Sequence, residues 1–321
     1  MSEHPETPKS SEDIIPDIRL AEPCDLEAIN AFYHQEYGAE YPGYLKTADL
    51  SDPDRVVLVG MVGSEIGGVA QTTTFRKKTE GDTEWSADNA FELKGLVVRH
   101  KDRHRHIGQK LLERRLEALV ALGARIAYVE PICRGKECAS ARNVMNHQFS
   151  MTGILPAKYP DELVVANQPE SVTMGIKVFK GELGWGSRGV YLPEEYSEIL
   201  HTVVPETTKS GRIQLLTGPM PHVRHIAAEV AEGRHGSEFA EVPANWPEAF
   251  LAILDLREQG YLLAGVMPDI FTTATGEPYD TIVMYKPPRG VIMNFDAIHV
   301  VAELQPLHEF MREEYDVTRE K

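Results

Sequence analysis

Apolar positions along the chain fall into short runs whose spacing switches between two and nearly four residues, and the switches predict the elements. "IRLAEPCDLEAINAFYHQEYG" (18–38) predicts a short strand followed by an amphipathic helix, with Asp25 available as its cap. "RVVLVGMVGSEIGGVAQTTTFRK" (55–77) predicts two strands joined by a turn at Gly63-Ser64-Glu65. "FELKGLVV" (91–98) is a further strand. From Ile107 the period becomes helical, with Leu112, Leu116, Leu119 and Val120 at the spacing of one buried face and Gly123 as the stop. "ARIAYVE" (124–130) then predicts a strand, "ECASARNVMNHQF" (137–149) a helix, and "SMTGILP" (150–156) and "ESVTMGIKVF" (170–179) two more strands. The order β-α-β-β-β-α-β-α-β-β predicts an α/β (α+β) fold with helices on the faces of a mixed sheet.

Past Lys180 the pattern weakens. Residues 181–210 hold several glycines and prolines and one helix-like patch, and are expected to link two domains. Beyond them the first half is echoed. "QFSMTGILP" (148–156) resembles "GYLLAGVMP" (260–268), "SVTMGIK" (171–177) resembles "TIVMYKP" (281–287), and "RHIG" (105–108) resembles "RHIA" (224–227). These echoes run in the same order and suggest a partial duplication. On that alignment His222 stands for Arg103 and Gly211 for Glu92, so the second copy is expected to be degenerate. It would complete the sheet, cover a groove or mediate homodimers. The expected organisation is a polar leader (1–15), a first domain (16–180), a linker (181–210) and a C-terminal domain (211–321).

Composition narrows the function. The chain has 321 residues, 42% of them hydrophobic and 26% charged, with a formal charge of −16. No apolar run approaches the ~18 residues of a membrane span, and nothing near the start resembles a secretory signal. The acidic balance argues against nucleic acid as a partner, because phosphate backbones reward basic surfaces. Cys24, Cys133 and Cys138 are too few for a disulfide framework, which fits a reduced cytoplasm. His100, His104 and His106 sit among Lys101, Arg103 and Arg105, whose charges repel a cation, so no metal is expected there.

Against that acidic background "RHRHIGQKLL" (103–112) is locally basic and opens a helix. A helix start presents unpaired N–H groups and a partial positive charge, so arginines and a glycine bend at Gly108 would seat a phosphate or pyrophosphate there. Together "LVVRHKDRHRHIGQKLL" (96–112) resembles the coenzyme A motif of the GNAT superfamily of acyltransferases. In that family a strand ending L-x-V is followed by [R/Q]-x-x-G-x-[G/A]. Leu96, Val97 and Val98 match the strand end, Arg103 the first motif position and Gly108 the last. His106 stands where the family has its first glycine.

The resemblance covers about residues 16–180 and implies direct transfer of an acyl group, most simply acetyl, from acetyl-CoA to an amine. The acceptor would be a small molecule, a protein lysine or an N-terminus. Arg103, His104, Arg105 and the amides of His106, Ile107, Gly108 and Gln109 would hold the pyrophosphate, and the Val98 N–H would polarise the thioester. Glu92, six residues before Val98, is the expected general base and Glu130 the reserve. Period-two alternation would put Glu92, Lys94, Leu96 and Val98 on one face. The family's tyrosine proton donor falls on Val144, leaving Tyr128 or Tyr159 as substitutes. Glu137 and Ser140 lie near the family's helix-cap asparagine position. The loops expected to shape the acceptor groove carry Glu36, Tyr37, Glu40, Tyr41, Tyr44, Tyr159, Asp161 and Glu162, a set suited to an ammonium group. A non-catalytic acyl-CoA binder is the alternative expectation.

Overall fold

The structure, a computed structural model, describes residues 16–37, 44–78, 84–133, 138–159, 170–180, 189–204, 216, 219–227, 236–273 and 275–319. They form two compact units, Met1–Thr73 with Leu93–Ala121 and Thr74–Glu92 with Leu122–Lys321. Strands β3 (Glu65–Lys78) and β4 (Glu84–Val98) pass from one unit into the other. No helix among the described residues is long and apolar enough to cross a membrane.

The first unit contains β1 (Asp17–Leu20), α1 (Leu26–Tyr37), α2 (Thr47–Ser51), β2 (Arg55–Val62), the leading part of β3, the end of β4, and α3 (Ile107–Ala121). Its strands run in the order β1-β2-β3-β4. β2 and β3 pair antiparallel from Arg55↔Thr73 to Val62↔Glu65 around a two-residue turn in which Gly63 has φ +62°. Alternation buries both faces of this sheet. Val57, Val59, Val69 and Val97 pack with Ile29, Phe32 and Tyr33 of α1, whereas Leu58 and Ala70 pack with Ile107 and Leu111 of α3. Gly68 lets α3 approach, since a Cβ there would stand 2.8 Å from the Ile107 side chain and 2.9 Å from that of Leu111.

The expected helix from Ile107 is present, but its buried face differs from the one predicted. Ile107, Leu111, Leu112, Arg115 and Leu119 are buried, while Val120 is 62% exposed. Arg115 occupies the stripe position between Leu111 and Leu119, where an apolar pattern cannot announce it.

The second unit contains β5 (Ile126–Val129), α4 (Ala139–Met145), β6 (Ser150–Tyr159), β7 (Glu170–Val178), α5 (Glu194–Val203), β8 (Arg224–Ala227), β9 (Glu238–Pro243), α6 (Glu248–Glu258), β10 (Leu262–Thr272), β11 (Pro278–Lys286) and α7 (Gln305–Arg319). Its strand order, β5-β7-β6-β10-β11-β9-β8, is palindromic about the β6–β10 seam apart from the outermost strand. At the seam Gly153 pairs with Gly265. A Cβ on Gly265 would stand 2.4 Å from Gly153 Cα, so two bare backbones are required there.

Other irregularities recur at the same 112-residue offset. Gln148 and Gly260 both have positive φ after a helix, and Ala157 and Asp269 have φ +48° and +53°. Register breaks at Met151/Gly153 and Leu155/Tyr159 in β6 match those at Leu263/Gly265 and Met267/Phe271 in β10. The N–H of Ala157 donates to Ser171 Oγ, and that of Asp269 donates to Asp280 Oδ1.

Two of the sequence echoes need correction. "RHIG" opens a helix whereas "RHIA" is strand β8, so that match, and the His222 counterpart drawn from it, has no structural equivalent. Gly211 lies outside the described residues. In the last strand the register places Met174 against Gly153 and Val283 against Gly265, so "SVTMGIK" corresponds to 280–286 rather than 281–287. Matching methionine to methionine had pulled that echo one position out of phase. The segment expected to link the halves carries α5, whose Tyr196 ring meets Phe310 of α7 at 5.9 Å.

Candidate functional site

β4 ends at Val98, a 3-10 turn spans His100–Asp102, and α3 starts at Ile107. The turn is organised by a residue the sequence did not reveal. Asp102 is only 2% exposed and accepts from Arg99 Nε at 2.5 Å, and Arg105 Nε lies 3.4 Å from its other oxygen. Arg99 also bonds Glu65 at 2.6 Å, and the two cations Arg99 and Lys101 hold the Glu65 carboxyl below its usual range. Thus Arg105, expected to hold phosphate, is committed to shaping the turn, whereas Arg103, His104 and His106 are exposed. Arg103 Nε reaches back to the Val98 carbonyl at 3.5 Å, and Glu36 of α1 accepts from the His100 N–H at 3.3 Å.

The bend lies at His106 rather than Gly108. His106 has φ +57°, while Gly108 is already inside α3. A left-handed conformation is one that glycine adopts freely and other residues adopt at a cost. His106 therefore takes a backbone shape more usual for glycine. Ile107 is fully buried and Val97 is 4% exposed, so these two offer only backbone groups to a ligand. Gln109 bonds Glu113, and Leu96 and Val98 are half-buried against the α3 side of the sheet. Gly95, with φ +60°, leaves the extended region inside β4. The alternation expected to carry Glu92, Lys94, Leu96 and Val98 on one face is interrupted there.

The carboxylate candidates belong to the second unit. Glu130, just past β5, accepts from the Tyr128 hydroxyl at 2.6 Å and the Tyr159 hydroxyl at 3.3 Å, and pairs with Lys158. The Tyr128 hydroxyl is pushed well above its ordinary pKa, first by burial and then by the charge of Glu130, with smaller contributions from Glu92 and Glu241. Its ring meets Phe75 edge-on at 5.3 Å, and Phe75 in turn meets Phe271 at 5.7 Å. Arg224 lies over the Phe271 ring and 3.4 Å from Glu241. Burial raises the thiols of Cys133 and Cys138, which suits packing rather than nucleophilic attack.

No protein-family model matches the chain, and no curated protein matches it. Solved structures that resemble it include an N-acetyltransferase from Staphylococcus aureus Mu50, at 18% identity and TM-score 0.42 over 51% of this chain and 99% of that one. An acetyltransferase of the GNAT family from Streptococcus pneumoniae aligns at 17% identity and TM-score 0.40, over 51% and 99% of the two chains. A Salmonella typhimurium protein solved with its cofactor acetyl-CoA aligns at 17% identity and TM-score 0.40, over 52% and 96%.

Residues 96–109 are brought together by chain continuity, and within the second unit Tyr128 bonds Glu130 and feels the charge of Glu92. Val144, expected at the tyrosine position of the resembling family, is a buried residue of α4, and Ser140 is exposed. Glu40, Tyr41, Glu137, Asp161 and Glu162 lie outside the described residues. No group of three or more histidine, cysteine or carboxylate side chains disposed to hold a metal ion occurs among the described residues.

Proposed function

We propose that the chain is an acyl-CoA-dependent N-acyltransferase that moves an acetyl group directly from acetyl-CoA to an amine, built on a GNAT domain over about residues 16–180. The observation that carries this reading is His106. It holds a left-handed backbone at the motif's glycine position, immediately before a helix whose strand ends in Leu96-Val97-Val98. That shape aims the first N–H groups of α3, together with Arg103, at a phosphate-bearing ligand.

An alkylammonium has a pKa near 10.4, so the neutral nucleophile at pH 7 is disfavoured by about 4.6 kcal/mol, and a base beside the acceptor offsets part of this. Glu92 is assigned that role because it lies on β4 six residues before Val98, where the resembling family carries its general base, and Glu130, bonded by Tyr128, Tyr159 and Lys158, stays the reserve. The amine nitrogen attacks the thioester carbon, its proton passes to Glu92, and the tetrahedral oxyanion meets the Val98 N–H. Collapse breaks the C–S bond. The thiolate leaves without an assigned proton donor, since a thiol pKa near 8.5 makes it a tolerable leaving group. The C-terminal half is read as a degenerate second copy, supported by the irregularities shared at the 112-residue offset. It has no coenzyme A seat of its own in this reading, because the stretch between Ala227 of β8 and Glu238 of β9 is too short for a counterpart of the turn and helix α3 that follow β4.

Glu92→Gln should lower turnover by about 10²–10⁴-fold with an acceptor found by screening amines, while acetyl-CoA binding by titration stays within a few-fold. Val144 at the tyrosine position, with the Tyr128 and Tyr159 hydroxyls given over to Glu130, favours one rival reading, an acyl-CoA binder without chemistry. Thermal protection by acetyl-CoA, joined to zero thioester consumption across the amine panel, would favour that rival.

A further inference from the structure

The first unit holds a chain of buried polar groups that the chemistry above does not use. Arg115, on the buried face of α3, is 1% exposed. Its Nε donates to Thr72 Oγ1 at 3.0 Å, and its Nη2 donates to the carbonyls of Gln71 at 2.6 Å and Lys94 at 3.4 Å. Gln71, 4% exposed, donates from Nε2 to the Tyr33 hydroxyl at 2.9 Å. Tyr33, fully buried on α1, donates in turn to the Gly95 carbonyl at 3.4 Å. Burial raises the Tyr33 hydroxyl above its ordinary pKa, which keeps the proton on it.

Both ends of this chain reach the same place. Lys94 and Gly95 are consecutive, and they form the break in β4. A left-handed residue inside a strand takes backbone groups off the ladder, and a buried carbonyl left there needs a donor. The bare face of Gly95 is laid against Gln71, whose amide nitrogen would stand 3.2 Å from a Cβ at that position. Packing alone does not call for such an arrangement. An apolar residue between Leu111 and Leu119 would fill the stripe without desolvating a guanidinium. What Arg115 adds is a fixed fork of donors, carried by the helix that begins at the cradle and ending on the strand that runs into it.

We propose that Arg115, Gln71 and Tyr33 are positioning residues for the acyl-CoA reaction. They hold the break in β4 so that the Leu96–Val98 segment presents its amides to the thioester carbonyl. The inference rests on the acyl-CoA reading above. None of the three touches the reacting atoms. They act through Gly95, three residues before Val98, where a displacement of about 1 Å is enough to cost about 10²-fold in rate.

Tyr33→Phe removes one oxygen and leaves the ring packed. Acetyl-CoA carrying ¹³C at the acetyl carbonyl supplies a readout that a merely structural role would not move. In the wild type the bound carbonyl resonance should shift on binding. In Tyr33→Phe the affinity should stay within about twofold while that shift falls by half or more, and kcat with a reactive amine should drop by about tenfold. Gln71→Met, which keeps the length but removes the donor, should repeat the result and serves if Tyr33→Phe fails to fold. A folded variant with the wild-type shift and kcat, whatever its melting temperature, overturns the positioning role alone. Wild-type protein that binds acetyl-CoA with an unmoved carbonyl overturns it too. A wild type that binds no acetyl-CoA overturns the acyl-CoA reading and this inference with it.

Discussion

His106 carries a Cβ and an imidazole where a left-handed backbone favours glycine. For an L-residue that conformation costs on the order of 1–2 kcal/mol, a cost histidine bears more often than most. His106→Gly should therefore be more stable than His106→Ala by about 1 kcal/mol in chemical denaturation, although glycine loses more chain entropy on folding. On the acyl-CoA reading proposed above, the glycine variant should also bind coenzyme A more tightly, because backbone then meets phosphate with no side chain between. Equal stability and affinity for the two variants would mean that residue 106 is not left-handed in solution. That a strand ends at Val98 and a helix opens at Ile107 was legible in the sequence. The internal wiring of the turn between them was not. Asp102 and Arg115 read as surface charges in a basic loop and a charged helix, and only folding buries them against partners such as Arg99 and the Lys94 carbonyl. The division of labour between Arg103, exposed, and Arg105, tied to Asp102, was equally invisible in the sequence.

At the scale of elements, period decided what could be read. The β2–β3 hairpin and the start of α3 stood out because apolar residues alternate or recur at helical spacing. Face assignments failed where one residue broke the period: Gly95 interrupts β4, and Arg115 occupies a core position of α3. α7 carries Leu307, Met311 and Tyr315 at i, i+4 and i+8, a helical signal as clear as that of α3. Its docking with α5 places Glu314 in the interior. That carboxylate accepts from the Tyr196 hydroxyl at 2.6 Å and from the Leu263 N–H at 3.1 Å, yet burial outweighs these donors and raises its pKa. A carboxyl whose folded pKa is raised binds its proton more tightly in the native state than in the unfolded chain. Its contribution is fully present below the unfolded value and is lost as pH rises through the folded one. Glu314→Gln keeps an acceptor without the charge. Its melting temperature relative to wild type should rise between pH 5 and pH 8. A gap that stays constant or narrows over that range would show that burial does not raise the Glu314 pKa.

For the molecule as a whole, the echo between halves was partly legible because the seam demands glycine from both strands, and Gly153 and Gly265 stand out in apolar runs. What could not be read was that these glycines face one another. Nor could the sequence show that Ala157 and Asp269, unlike in chemistry, share a left-handed backbone. An N–H held by a side chain of the neighbouring strand is also common to the two positions, through Ser171 in one and Asp280 in the other. The net charge of −16 gives the chain a long-range attraction for cations, and it leaves the basic turn at 99–106 as a local exception.

The seam also bears on what a shortened chain would do. β6 lies between β7 and β10, with Met151, Ile154 and Leu155 buried along it. Ending the chain after Lys180 strips away β10 and uncovers the edge of β6 on which Gly153 meets Gly265, a template for adding a copy of itself. Such a fragment should sediment as dimers or larger assemblies at concentrations where the full-length chain does not associate further, and charged substitutions along β6 should disperse it. A fragment that stays monomeric would mean that β6 can shield its own rim.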